Sequence, residues 1–293
     1  MPMTYFPLTP AEADAADVLV RLALAEDLGT TGDRTSLATI PEATRACAEF
    51  VARGIGVVAG LPVAGRVCQA VSAELTFTPA VREGTATQRG LVLATVAGPL
   101  RAVLAAERTA LNFLQRLSGV ASLTRQYVEA ASGFRAKLLD TRKTTPGWRL
   151  LEKYAVRAGG GTNHRVGLFD GILIKDNHLA GLCGDVRKAV EAARNHPGNA
   201  GLSVEVEVDT LEQLEHALAV RADIVLLDNM TLDQLRTAVS RRDAVAPAAL
   251  LEASGGVNLS TVRDIAATGV DRISVGALTH SAPALDIGLD YLA

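Results

Sequence analysis

The chain has 293 residues, a formal net charge of −3 and a pI near 6.0, with 48% hydrophobic, 21% charged and 4% aromatic residues. That balance describes a folded chain with a core of Ala, Val and Leu, and it argues against nucleic acid or an anionic membrane as partner, since both demand a broad basic footprint. Cys47, Cys68 and Cys183 form no CxxC pair and no zinc-ligand spacing, so neither a disulfide framework nor a structural zinc is expected. The opening MPMTYFPLTP has no basic stretch ahead of an apolar one, and Arg66, Arg101 and Arg108 interrupt the longer apolar runs. A membrane span needs roughly 20 uninterrupted residues, so the expectation is a cytoplasmic protein.

Apolar residues at Val18, Leu19, Leu22 and Ala25 recur at helical spacing, and Thr9 before Pro10 and Glu12 reads as a helix start, so a helix is predicted from Thr9 to Leu28. Gly29, Gly32 and Asp33 mark a turn. Strands are predicted at Cys47–Ala52, Ile55–Ala59, Leu75–Thr78 and Gly90–Val96, with a helix near Pro62–Ala73, which makes an α+β unit with an antiparallel sheet. A long Ala/Leu pattern from Leu100 to Ala131 reads as helical, broken near Ser118-Gly119. Short apolar strands then alternate with helices: Ala136–Leu139, Gly171–Ile174, Ser203–Val208, Ile224–Leu227, Ala249–Ala253 and Arg272–Val275. Strands with helical crossovers mean a parallel α/β domain. Two domains are expected, 1–117 and 118–293, with the C-terminal segment packing back on the first.

Polar residues stand at nearly every predicted strand end: Asp140-Thr141, Lys175, Glu207, Asp228, Ser254-Gly255-Gly256 and Gly276. That is the layout of a β/α barrel, whose site is built by the loops at the carboxyl ends of its strands. A doubly wound open sheet is the alternative, but no GxGxxG follows an early strand.

Arg142 and Lys143, alone, read equally as a solvated loop. Their neighbours His164, Arg165 and Lys175 turn the reading towards an anion site, because guanidinium grips carboxylate or phosphate by paired hydrogen bonds and Lys adds a compact charge. Glu205 and Glu207 alternate in Val204-Glu205-Val206-Glu207-Val208, so both carboxylates share one strand face, expected to point inward. With Asp228 they suit either Mg²⁺ held through substrate phosphates and water or a developing sugar cation. The tripeptides Ser254-Gly255-Gly256 and Ser274-Val275-Gly276 end late strands, where backbone N–H groups can cradle a phosphate.

Seven ordered motifs carry a resemblance: Glu107-Arg108-Thr109-Ala110-Leu111-Asn112, Asp140 to Gly147 (DTRKTTPG), Gly160 to Arg165 (GGTNHR), Ile174 to His178 (IKDNH), Val204 to Val208, Leu227-Asp228-Asn229 and Glu252 to Gly256 (EASGG). From roughly Leu24 onward the chain resembles the quinolinate phosphoribosyltransferases. The resemblance implies an N-terminal α/β sandwich followed by an incomplete parallel α/β barrel, in a homodimer with shared active sites or a higher assembly. It implies phosphoribosyl transfer from phosphoribosyl pyrophosphate to quinolinate with decarboxylation, in de novo NAD synthesis, with Mg²⁺ as cofactor. It also implies roles. Arg108 from a partner subunit, with Thr141, Arg142, Lys143, His164, Arg165 and Lys175, forms the basic pocket. Glu207 and Asp228 lie near the ribose and Mg²⁺, and Ser254 to Gly256 with Ser274 to Gly276 take the 5-phosphate. Lys143, Glu207 and Asp228 are the expected catalytic residues. Nicotinate or another pyridine-like acceptor is the nearest alternative, and a non-catalytic phosphometabolite-binding barrel the one from another class.

Overall fold

In the computed structural model residues 7–292 are described; Met1–Phe6, part of the segment read for a leader, and Ala293 lie outside them. Helix α1 (Pro10–Leu28) starts where the spacing predicts. The Thr9 hydroxyl accepts the Glu12 N–H at 3.3 Å and the Glu12 carboxylate accepts the Thr9 N–H at 2.9 Å, so two orphan donors of the first turn are satisfied reciprocally. A short α2 (Arg34–Thr39) follows, capped by Asp33, which the sequence reading took only as part of a turn.

Next come β1 (Arg45–Ala52), β2 (Gly56–Val57), α3 (Leu61–Val71), β3 (Thr76–Pro79), β4 (Ala86–Thr87) and β5 (Val92–Pro99). The central pair β1 and β5 is antiparallel, β3 flanks β5, and the C-terminal strand Ile287–Tyr291 flanks β1, again antiparallel. Strands β2 and β4 form a separate two-stranded ribbon.

Helix α4 (Leu100–Ala130) is continuous over 31 residues, so the expected break at Ser118-Gly119 does not occur. Both small residues serve packing instead. The Ser118 hydroxyl accepts the Ala59 N–H at 3.0 Å and donates to the Ala59 carbonyl at 3.1 Å, while a Cβ on Gly119 would lie 2.0 Å from the Pro283 carbonyl oxygen. A glycine in a helix interior costs helix propensity; here it admits a crossing backbone.

The rest of the chain is β6 (Lys137–Leu139), α5 (Arg149–Ala158), β7 (Ile172–Ile174), α6 (Asp176–Ala180), α7 (Val186–Asn195), β8 (Val204–Val208), α8 (Leu211–Ala219), β9 (Ile224–Asp228), α9 (Leu232–Val245), β10 (Leu250–Ser254), α10 (Val262–Ala267), β11 (Arg272–Ser274), α11 (Ala277–His280) and the final strand, β12. Helix α5 was not anticipated. The six strands β6 to β11 form one all-parallel sheet in the order β6-β11-β10-β9-β8-β7. First strand beside last is the circular order of a barrel, here open between β6 and β7; a doubly wound sheet would reverse direction at an internal switch point. The fold is therefore an α/β incomplete barrel with a separate N-terminal sheet domain.

Two compact units result: Met1–Arg125 with Thr144–Gly160 and Leu278–Ala293, and Gln126–Lys143 with Gly161–Ala277. A boundary at residue 117 falls within α4. No helix among the described residues is long and apolar enough to cross a membrane.

The contact at Gly119 predicts a stability cost. Gly119→Ala should lower the unfolding free energy by about 1–3 kcal/mol through forced backbone displacement, against the gain alanine gives an open helix. Chemical denaturation of the two proteins reads the sign; a more stable alanine variant would refute the close approach.

Candidate active site

The site grows from β8. All five of its residues are buried, and Glu205 and Glu207 share a face as the alternation requires, at 3% and 9% exposure. Sheet register places Glu207, Leu226, Glu252 and Arg272 in one row across β8, β9, β10 and β11. Three carboxylates thus gather inside the parallel sheet, where an unpaired charge would be prohibitively costly. Each has a cation. Lys175, directly after β7, pairs with Glu207. Arg272 Nε lies 2.6 Å from Glu252 Oε2, and His164 Nε2 lies 3.1 Å from Glu205 and 3.5 Å from Glu252.

Burial alone would push the His164 ring towards neutrality, but hydrogen bonds and charges from Glu205 and Glu252 prevail and raise its pKa to about 9. Burial pushes the Glu205 carboxyl up, with the Glu252 charge adding to it. Glu252 is held below the ordinary carboxylate range: burial opposes this, and His164, Arg272 and the Ser274 hydroxyl outweigh it. The Arg165 N–H approaches His164 Nδ1 at 2.8 Å, which favours a neutral ring. The two acids at Nε2 and the amide at Nδ1 thus pull the ring in opposite directions, and the acids set the direction of the shift.

Asp140, the first residue after β6 and fully buried, fixes the same segment from the other side. It accepts the Asn163 side-chain amide at 2.7 Å and the His164 backbone N–H at 2.8 Å. Arg165 follows, its Nη1 donating to the Gly171 carbonyl at 3.0 Å. Burial and then the Arg142 charge lower the Arg165 pKa, so these two guanidiniums are near enough to repel. Such repulsion favours an anion between them. The Lys143 N–H donates to the Thr141 hydroxyl at 3.0 Å, shaping the turn that carries both basic residues.

At the end of β9 the Asp228 carboxylate accepts from the Asn229 side chain at 2.7 Å. Asn229 has φ 53°, and Gly255 and Gly256 have φ 92° and 59°. A Cβ on Gly255 would lie 2.1 Å from Asn229 Oδ1, so this loop requires glycine on both grounds.

Thr141, Arg142, Lys143, His164, Arg165, Lys175, Glu207, Asp228, Ser254 and Ser274 line one cleft of about 270 Å³ with Leu173, Leu226 and Glu252. Gly255, Gly256, Val275 and Gly276 are not among its lining. The Val275 side chain is in the core and its N–H donates to the Leu139 carbonyl at 2.9 Å. Arg108 is exposed on α4 and lines a concavity of the first unit with Glu26, Asp27, Asn112 and Trp148. The candidate set omitted Glu252 and Arg272: Glu252, a lone carboxylate amid the apolar residues of β10, carried the same signal as Glu205, whereas Arg272, at the head of β11, read as solvated.

Residues 33–118 match the family model of the quinolinate phosphoribosyl transferase N-terminal domain, and residues 120–290 that of its C-terminal domain. The chain belongs to the quinolinate phosphoribosyltransferase family. It is 47% identical over 287 residues to the nicotinate-nucleotide pyrophosphorylase [carboxylating] of Mycobacterium leprae, covering 97% of this chain and 99% of that one. A probable enzyme of the same name from Bacillus subtilis is 43% identical over 267 residues, covering 90% of this chain and 89% of that one. The solved nicotinate-nucleotide pyrophosphorylase of Francisella tularensis superposes with a TM-score of 0.89 at 39% identity, over 99% of both chains. The fold is thus that of the quinolinate phosphoribosyltransferase family.

The His164 ion cluster predicts a pH dependence. A folded pKa of about 9 against 6.5 for a free imidazole means that its stabilisation is fully present below pH 6.5 and is lost as pH rises through about 9. The stability gap between the wild type and His164→Gln, measured by denaturant unfolding, should therefore narrow across that window. A gap constant with pH would show the ring to be neutral throughout.

Proposed function

We propose that this chain transfers the phosphoribosyl group of phosphoribosyl pyrophosphate to quinolinate, releasing pyrophosphate and CO₂ and forming nicotinate mononucleotide, a step of de novo NAD synthesis. The observation that carries the reading is the cleft itself: Arg142, Lys143, Arg165 and Lys175 line it together with Glu207 and Asp228, and Arg142 and Arg165 are close enough to repel. A dicarboxylate beside a pyrophosphate suits that gathering of cations.

The chemistry follows from placement. The quinolinate ring nitrogen donates its lone pair to the anomeric carbon while the bond to the pyrophosphate oxygen breaks, its electron pair leaving with the pyrophosphate. Positive character grows on the ribose in that transition state, and Glu207 and Asp228 are the carboxylates placed to stabilise it. Lys143 and Lys175 oppose the charge gathering on the leaving group. The nitrogen is then a pyridinium, so the adjacent carboxylate departs as CO₂ and leaves its electron pair on the ring carbon, which takes a proton. No covalent enzyme intermediate is needed; positioning and electrostatics supply the rate.

The donor set fits Mg²⁺. Glu207 and Asp228 offer hard oxygens in one cleft, and each has one oxygen engaged, by Lys175 and by Asn229. That favours contact through water and substrate phosphates over a closed protein cage, and the ion would supply charge neutralisation at the pyrophosphate. The turn at Ser254 to Gly256 and the Ser274 to Gly276 segment are read as the 5-phosphate loops. Residence in the cytoplasm, and a homodimer in which Arg108 serves the partner's site, complete the reading; exposed Arg108 stands outside the cleft lining of its own chain.

Incubation of the purified protein with phosphoribosyl pyrophosphate and Mg²⁺, with quinolinate and nicotinate offered separately, tests the reaction by mass spectrometry. Nicotinate mononucleotide with CO₂ from quinolinate alone is expected; product from nicotinate alone would move the chain to a salvage reaction. For the shared site, mixing Arg108→Ala with Asp228→Asn should restore activity that neither variant has alone. No recovery despite demonstrated subunit exchange would confine Arg108 to its own chain.

A further inference from the structure

Both nitrogens of the His164 ring are directed at protein groups. Nε2 meets Glu205 and Glu252 at 3.1 and 3.5 Å, and Nδ1 meets the Arg165 N–H at 2.8 Å. The ring lines the cleft, yet its side chain is only 9% exposed. Its polar atoms therefore do not reach out for a substrate carboxylate as Arg142 and Arg165 do. What the ring controls is the backbone that carries Arg165. Behind it stands Glu252, fully buried, tied to Arg272 Nε at 2.6 Å and to the Ser274 hydroxyl.

We propose that Glu252 is a positioning residue: with Arg272 anchoring it from β11 and Glu205 beside it on β8, it clamps the His164 ring and thereby aims Arg165 at the acceptor anion. The role assigned to the acceptor rests on the functional reading above; the clamp itself does not. Glu205 comes from β8 and Glu252 from β10, Arg272 lies behind Glu252, Asp140 holds the His164 backbone N–H, and Arg165 is the next residue. Glu252 has anchors of its own, Arg272 and the Ser274 hydroxyl, so it carries the fixed position of β10 and β11 to the ring. Removing the Glu252 charge would loosen the ring, let the 163–165 segment relax, and leave Arg165 off its line. A group acting through another should weaken binding of the acceptor while sparing the second substrate.

The test is Glu252→Gln, which keeps shape and removes charge, with Glu252→Asp as the conservative partner. Expected are a rise of roughly tenfold or more in the quinolinate KM, a phosphoribosyl pyrophosphate KM changed by less than about twofold, and partial recovery in Glu252→Asp. A structural role alone would raise both constants or neither. The second readout needs no turnover: ¹⁵N-histidine NMR of the ligand-free protein, with the His164 signal identified by its loss in His164→Gln. Glu252→Gln should bring the titration of the ring down by at least about one pH unit from that of the wild type. An unchanged quinolinate KM in Glu252→Gln, or a ring titration that the substitution leaves in place, overturns the clamp. If Glu252→Gln fails to fold, Glu252→Asp takes its place, with the same two readouts and the same outcomes. A wild type that turns over no quinolinate overturns the functional reading instead, and the ring titration still tests the clamp.

Discussion

Negative charge buried inside a parallel sheet is the constraint around which this site is organised. Glu205, Glu207, Glu252 and Asp140 are all at most 9% exposed, and taking a carboxylate out of water costs several kcal/mol unless something replaces its hydration. Lys175, His164 and Arg272 replace it for the glutamates, and the amide donors of Asn163 and His164 for Asp140. Folding must bring these cations to the barrel interior whether or not a ligand is present. A polyanion pocket in a chain of net charge −3 is thus built on a foundation of buried acids.

The cations divide by what they face. Arg272 is spent on Glu252, and His164 on Glu205 and Glu252. Lys175 pairs with Glu207, whose carboxylate also borders the cleft. Arg142 and Arg165 instead raise the local potential by their proximity. The buried acids thus hold matched charge, and the two guanidiniums beside them repel one another. A ligand bearing two carboxylates or phosphates relieves that repulsion, so part of its binding energy comes from strain already present in the protein.

Much of this was readable from residue order. The six parallel strands appeared within a residue or two of their positions because apolar runs and polar strand ends coincide, and Val204-Glu205-Val206-Glu207-Val208 announced an inward acidic face. Barrel closure order was not readable, since period-two patterns do not say which strands are neighbours; pairing of β6 with β11 supplied it. The helix break at Ser118-Gly119 failed for a tertiary reason, the crossing of the Pro283 backbone, which no local pattern encodes. Arg272 escaped notice because an arginine opening a strand ordinarily reads as solvated. Only the row it shares with Glu252 shows the carboxylate it was placed to meet.

That row also explains why the interior resists simplification. Replacing a whole buried ion cluster with apolar side chains is often harmless to a fold, whereas removing one member leaves its partner charged and unpaired. Here Glu207, Glu252 and Arg272 sit in register on three strands, with Leu226 filling the fourth position, and His164 reaches in from the segment between α5 and β7. The cluster ties four strands and the loop carrying Arg165 into one electrostatic unit. A one-residue slip of β8 would turn Glu205 and Glu207 to the opposite face and put valines against His164 and Lys175, taking Glu207 from Lys175 and leaving His164 with Glu252 alone. The charges that shape the pocket therefore also specify strand register, so the fold and the site are fixed by the same interactions.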